Sequence, residues 1–473
     1  MVFSSPVFLF IFLPVTFLFY KALPLRLKNV FLVLVSLLFY AWGEPVFVLL
    51  MIISVCANYF FARLIGDDPE ENRRAKTFLI CSIVFNLGML FVFKYSNFFV
   101  HNVNYLLGTQ LQIPKIRLPI GISFYTFQAM SYVIDVYRKK AKPQKKLTYV
   151  FLYISFFPQL IAGPIVLYTD IAAQIENRTE TLERTVSGLQ RFTIGLGKKL
   201  LLANTMGLLA DQVFAQDFSV VNLPVAWVGA IAYALQIYFD FSGYSDMALG
   251  LADLFGFELK ENFRYPYMSA SIKEFWRRWH ISLSTWFKDY LYIPLGGNRK
   301  GNTRTAVNLL IVFFCTGLWH GAEWTFVVWG LFHGFFIMSE RVGLIKPEKF
   351  RPKWLAHVYA LTVVVVAFVI FRATTLSQGF RFVGKMFAGF SFHIESEAFL
   401  RQALTAPVIF FFVLAIIGAT SLPQKAWGAM KLHLKEHSPI VEVASMAASL
   451  CVLILCIFVL SGQTYNPFIY FRF

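Results

Sequence analysis

Apolar runs recur with little room between them, near residues 6–20, 29–42, 45–65, 77–93, 118–137 and 147–167. No other feature constrains the fold as strongly. A helix needs about 20 apolar residues to cross about 30 Å of hydrocarbon, and most of these runs approach that length. Composition excludes the soluble alternative: 58% of residues are hydrophobic and only 15% charged. About 25% charged residues is usual for a soluble domain. We therefore expect an all-α polytopic membrane protein of about 10–11 transmembrane helices. Several runs are too short for a comfortable crossing, which predicts re-entrant segments or a thinned bilayer. The 54 phenylalanines suit lipid-facing helices around an apolar cavity better than a wet ion pore.

Forty-three basic residues against 26 acidic give a net charge of +17. In a polytopic chain this reads as positive cytoplasmic loops, and no nucleic-acid motif competes with that reading. Lys21, Arg26 and Lys28 follow the first run; Arg63, Arg73, Arg74 and Lys76 follow the third. Arg138, Lys139, Lys140, Lys142, Lys145 and Lys146 form a loop without an acid. The connections at 43–45 and 94–114 are poor in Lys and Arg, so these rules place the N-terminus outside. The stretches 258–304, 341–353 and 425–435 are expected inside. Cys56, Cys81, Cys315, Cys451 and Cys456 form no CxxC pair and read as small core residues, with no metal site expected. No basic residue precedes Lys21, and Pro6 and Pro14 interrupt the first run, so a cleavable leader is not expected. No inverted repeat is evident.

Chemistry concentrates in three stretches. In FDFSGYSDMALGLADLFGF, residues 239–257, Asp240, Asp246 and Asp253 interrupt an apolar segment. Intramembrane carboxylates are costly and face protein or a wet cavity; Ser242, Gly243 and Ser245 suggest a helix break that they pin. Residues 263–300 mix tryptophans with basic side chains, as in a helix lying in the membrane interface, with Trp276 and His280 on one face. His280 is open to a structural or a direct role. Residues 305–338 would form one helix about 51 Å long, so the segment must break or turn back. His320 lies at its middle beside Trp319. A buried imidazole favours its neutral form and can serve as a general base. A metal site shared with His333 is rejected by 13 residues of continuous helix unless the chain folds back; His333 is expected to be a packed or interfacial residue.

Together FFPQLIAGPI (156–165), FDFSGYSDMALGLADLFGF, FWRRWHISLSTWFKDYLYIPLGGN and GLWHGAEWTFVVWGLFHG resemble the membrane-bound O-acyltransferase family, in its bacterial alginate O-acetyltransferase branch. The resemblance implies a many-helix bundle with re-entrant and interfacial helices around a transmembrane tunnel. It implies one membrane domain over 1–473, a motif-bearing core at about 118–340, and C-terminal spans with an aromatic tail at 354–473. It implies His320 and His280 as catalytic residues, with Asp240, Asp246 and Trp319 as supports. The activity implied is transfer of an acetyl group from a cytoplasmic thioester, acetyl-CoA or an acyl-carrier protein, to an exported polysaccharide, with no tightly bound cofactor. A separate extracellular or periplasmic O-acetyltransferase is the expected partner, and the bacterial inner membrane the expected location. D-alanyl transfer toward teichoic acid and, outside the enzymes, polysaccharide or lipid transport are the rival readings. No GxSxG elbow supports an esterase mechanism. The tail SGQTYNPFIYFRF (461–473) reads as an interfacial aromatic anchor or as a segment folded back so that the Tyr470 phenol relays the acyl group.

Overall fold

The structure, a computed structural model, describes residues 1–67, 74–114, 116–434, 439–462 and 465–469. These residues are helical or irregular, with no strand among them. They divide into two compact units, Met1–Phe192 with Ser245–Lys260, and Thr193–Tyr244 with Glu261–Phe473.

The first unit is built on α1 (Phe8–Ala22), α2 (Leu25–Gly43), α3 (Phe47–Ile65), α4 (Ala75–Leu107), α5 (Ile122–Tyr137), α6 (Leu147–Ser155), α7 (Tyr168–Glu176) and most of α8 (Leu182–Gly197). Outward side chains such as Phe10, Leu18, Leu34 and Phe60 are exposed and apolar, as a lipid-facing surface requires. Inside, Asn58 and Asn86 exchange hydrogen bonds at 3.1 and 2.7 Å between α3 and α4. Such polar contacts join helices that the hydrophobic effect cannot join within lipid. The stretch 94–114 is not a loop throughout, because α4 continues through a π-turn at Phe91–Tyr95 to Leu107. Lys94 is accommodated there by Ser123, whose hydroxyl accepts from its ammonium at 3.1 Å.

The second unit contains α9 (Asn204–Phe214), α11 (Ile272–Arg278), α12 (Ile281–Phe287), α13 (Gly301–His320), α14 (Trp324–Arg341), α15 (Trp354–Arg372), α16 (Leu376–Phe387), α17 (Ile394–Ala403), α18 (Ala406–Gly418), α19 (Leu422–Leu434) and α20 (Pro439–Gly462). Helix α10 (Leu223–Leu254) contributes to both units. By length and composition, six helices among the described residues can cross a membrane (α2, α3, α4, α10, α15 and α20), and the pair α17/α18, bent by 79°, is either a broken seventh span or a re-entrant loop. The expected ten or eleven is larger because it counts runs that fold as shorter helices, among them α5 and α6.

The expected break at Ser242–Ser245 is absent: α10 runs unbroken for 32 residues. Its glycines serve packing instead. In the second unit a Cβ at Gly243 would lie 2.8 Å from the Gly195 carbonyl oxygen; in the first, a Cβ at Gly250 would lie 2.4 Å from that of Gly188. Helix backbones approach this closely only where no side chain intervenes. The three aspartates of α10 each meet a cation within their own unit. Asp253 pairs with Arg184 and Asp246 with Arg191, both at 3.0 Å, and Asp240 with Lys199 at 2.6 Å.

Candidate active site

The long apolar segment breaks where its length requires. Helix α13 ends at His320, residues 321–323 turn, and α14 runs back beside it. Glycines set the closeness of this hairpin: a Cβ at Gly317 would lie 2.4 Å from the Phe326 carbonyl oxygen, and one at Gly330 would lie 2.3 Å from that of Phe313. The turn leaves His320 buried at 4% exposure. Its ring meets Trp319, Trp329 and Phe371 edge to face, at centroid distances of 5.0, 4.9 and 5.4 Å.

His280 arrives by a different route. Residues 263–300 do not form a single interfacial helix, and Trp276 and His280 do not share a helical face. Helix α11 stops at Arg278, and His280 takes φ +43°, left-handed backbone, before α12 begins. That conformation costs a non-glycine residue about 1–2 kcal/mol. Strain of this kind is often held at functional positions.

The surroundings of His280 fix its proton. Its Nδ1 lies 3.2 Å from Oδ1 of Asn262, which also accepts from the backbone N–H and the hydroxyl of Ser282, at 3.1 and 2.9 Å. An atom accepting from a backbone N–H is the amide oxygen, so Nδ1 carries the proton and Nε2 the lone pair. The ring is fully buried, on a connection outside the spanning helices. Desolvation pulls its pKa down to about 3, so the imidazole is neutral. Phe241 meets it edge to face at 4.6 Å, and Trp319 at 5.8 Å. Trp319 thus touches both histidines, and the fold brings together His280, Trp319 and His320.

The two aspartates have partners of their own. Asp240 belongs to the second unit and accepts at Oδ2 from the backbone N–H of Ile469 at 2.8 Å. Asp246 belongs to the first unit, with Arg191. Tyr470 lies outside the described residues. The tail before it is docked on the second unit, with Phe468 and Ile469 buried. The Tyr465 hydroxyl donates to Asp211 at 2.5 Å, Asn204 donates to the Tyr465 carbonyl at 3.2 Å, and Lys199 donates to the Pro467 carbonyl. Because the chain does fold back, His333 is reached from His320 through one indole, that of Trp329. Among the described residues no three His, Cys, Asp or Glu side chains are grouped to hold a metal ion. Asn262 and Ser282 carry no local sequence signal: Asn262 lies in an irregular stretch 18 residues before the ring it orients.

A family model described as "MBOAT, membrane-bound O-acyltransferase family" matches residues 138–378. The "Probable alginate O-acetylase AlgI" of Pseudomonas putida is 40% identical over the full length of both chains. The "Peptidoglycan O-acetyltransferase" of Helicobacter pylori is 34% identical over all of this chain and 98% of that protein. The "Teichoic acid D-alanyltransferase" of Streptococcus thermophilus is 32% identical over 48% of this chain and 58% of its own. With the apolar helices, the buried histidines and these matches in hand, the chain belongs to the membrane-bound O-acyltransferase family and is a multi-pass membrane acyltransferase.

Proposed function

We propose that the protein transfers an acetyl group from a cytoplasmic thioester, acetyl-CoA or an acyl-carrier protein, for O-acetylation of an exported polysaccharide such as an alginate- or cellulose-like polymer. The observation that carries this reading is the placement of His280 and His320 on one indole, Trp319, deep in the second unit. The relatives matched over the whole chain are named as O-acetylating proteins. The D-alanyl-transferring relative matches about half of it, which makes that the lesser reading.

A hydroxyl is a weak nucleophile and needs a base within hydrogen-bond reach. In our reading a His320 nitrogen takes the acceptor hydroxyl's proton as its oxygen attacks the thioester carbonyl. The tetrahedral intermediate then expels the thiolate, which recovers that proton as a thiol. A carbonyl-polarising role for His280 does not suit its tautomer, because Nε2 holds a lone pair and cannot donate. His280 instead accepts a hydrogen bond from the substrate and orients it. Tyr470 is proposed as the first acceptor, an acyl relay: with His320 taking its proton, the phenol receives the acyl group from the thioester, releasing thiol, and passes it to a sugar hydroxyl, regenerating phenol. The docking of residues 465–469 supports this reading. An N-terminus outside, the loop 138–146 in the cytoplasm of a bacterial inner membrane, and an external O-acetyltransferase partner complete the proposal.

The test is acetyl transfer from labelled thioester in vesicles holding the full chain. His320→Ala is expected to abolish transfer while the protein still inserts. Activity above about a tenth of wild type, a loss of less than about 1.4 kcal/mol in barrier terms, removes His320 as the base.

A further inference from the structure

One ring beyond His320, the core of the second unit holds a histidine that packing alone does not explain. His333 is fully buried. It stacks on Phe275 at 5.9 Å with ring planes 4° apart, and meets Trp276 and Trp329 edge to face at 5.3 and 5.2 Å. Neither of its ring nitrogens has a hydrogen-bond partner among the described residues, and the same holds for the buried indole nitrogens of Trp276 and Trp329. Those two indoles stand 5.8 Å apart, so the three heterocycles are in mutual contact. An unsatisfied buried polar group costs about 1–3 kcal/mol. Phenylalanine would fill the same aromatic box without that cost. Violations of local packing rules concentrate where function requires them. Trp329 also meets His320 at 4.9 Å.

We infer that His333 is a positioning residue for acyl transfer. Its nitrogens and the N–H groups of Trp276 and Trp329 receive an oxygen-bearing group, and through Trp329 the same residue fixes the ring of His320. The oxygen is that of an ordered water or the carbonyl oxygen of the incoming acyl group. An ordered water accepts from these N–H groups and donates to the imidazole lone pair, whereas an acyl carbonyl oxygen only accepts and answers the N–H groups alone. The inference rests on His320 being the general base.

His333→Phe and His333→Gln in the full chain test it, with transfer kinetics in vesicles and the thermal midpoint both measured. His333→Phe is expected to melt no lower than wild type, because phenylalanine fills the same aromatic box, yet to transfer acetyl at least about tenfold more slowly, a change of about 1.4 kcal/mol. His333→Gln recovers part of that rate. A rise in KM for the thioester identifies the acyl carbonyl as the guest, and a fall in kcat at constant KM identifies water. A wild-type rate in His333→Phe overturns the inference. So does a joint loss of rate and midpoint that His333→Gln fails to restore, because that outcome marks packing alone. His320→Ala measured alongside separates the two ideas: transfer surviving there removes the base itself.

Discussion

The ammonium of Lys199 lies 2.6 Å from the carboxylate of Asp240, and both side chains are almost wholly buried. Each also holds the tail: Asp240 accepts from the Ile469 amide, and Lys199 donates to the Pro467 carbonyl. Breaking a buried pair by removing one partner strands the other charge and costs about 3–5 kcal/mol. Lys199→Met is therefore expected to lower the midpoint of thermal aggregation in detergent sharply. Lys199→Met combined with Asp240→Leu should recover part of the loss, because no charge is then left buried. Equal midpoints for single and double variants would show that the tail contacts, rather than the charge pair, carry the stability.

How much of this was legible in the sequence depended on range. The break at His320 followed from length alone, since an apolar segment of 34 residues overruns the bilayer. Gly243 reads as a helix break in the sequence because its reason lies on another helix: the sequence shows a small residue, not the carbonyl of Gly195 against it. The separation of Trp276 from His280 depends on a left-handed histidine, which no propensity predicts. The pairing of Asn262 with His280 spans an irregular stretch without a period to follow.

The α13/α14 hairpin makes a sharper prediction about placement. Alanine at Gly330 would put a methyl 2.3 Å from the Phe313 carbonyl oxygen, which is backbone and cannot swing away. The two helices must separate, carrying Trp329 and the ring of His320 with them. We expect Gly330→Ala to lose most transfer activity while remaining in the membrane. Gly384→Ala, in α16, meets nothing within 4 Å and is expected to behave as wild type. Normal kinetics in Gly330→Ala would show that the hairpin tolerates opening.

Asn262 offers a test of the His280 tautomer. Asn262→Leu keeps a side chain of similar size but removes the oxygen that accepts from Nδ1. At metal sites, partners that fix a histidine through its other ring nitrogen are worth about 10–100-fold, and by analogy a loss in kcat of that order is expected. Asn262→Asp retains an acceptor, now charged, and should retain more activity than the leucine variant. Equal rates in the two would leave the hydrogen bond without a role.

Burial of His280 also makes stability depend on pH, with a definite sign. In the folded protein its pKa is down to about 3, whereas an unfolded histidine titrates near 6.5. Between those values the unfolded chain binds a proton that the folded chain does not, so stability falls as pH drops below about 6.5, by up to about 1.4 kcal/mol per unit. The contribution is fully present above pH 6.5. His280→Gln cannot titrate and is expected to flatten this part of the curve when thermal midpoints are compared from pH 7.5 down to 4.5, even if the variant is less stable at pH 7.5. A slope in His280→Gln identical to that of wild type would mean that other buried groups set the acid sensitivity and that His280 takes up its proton in the folded state.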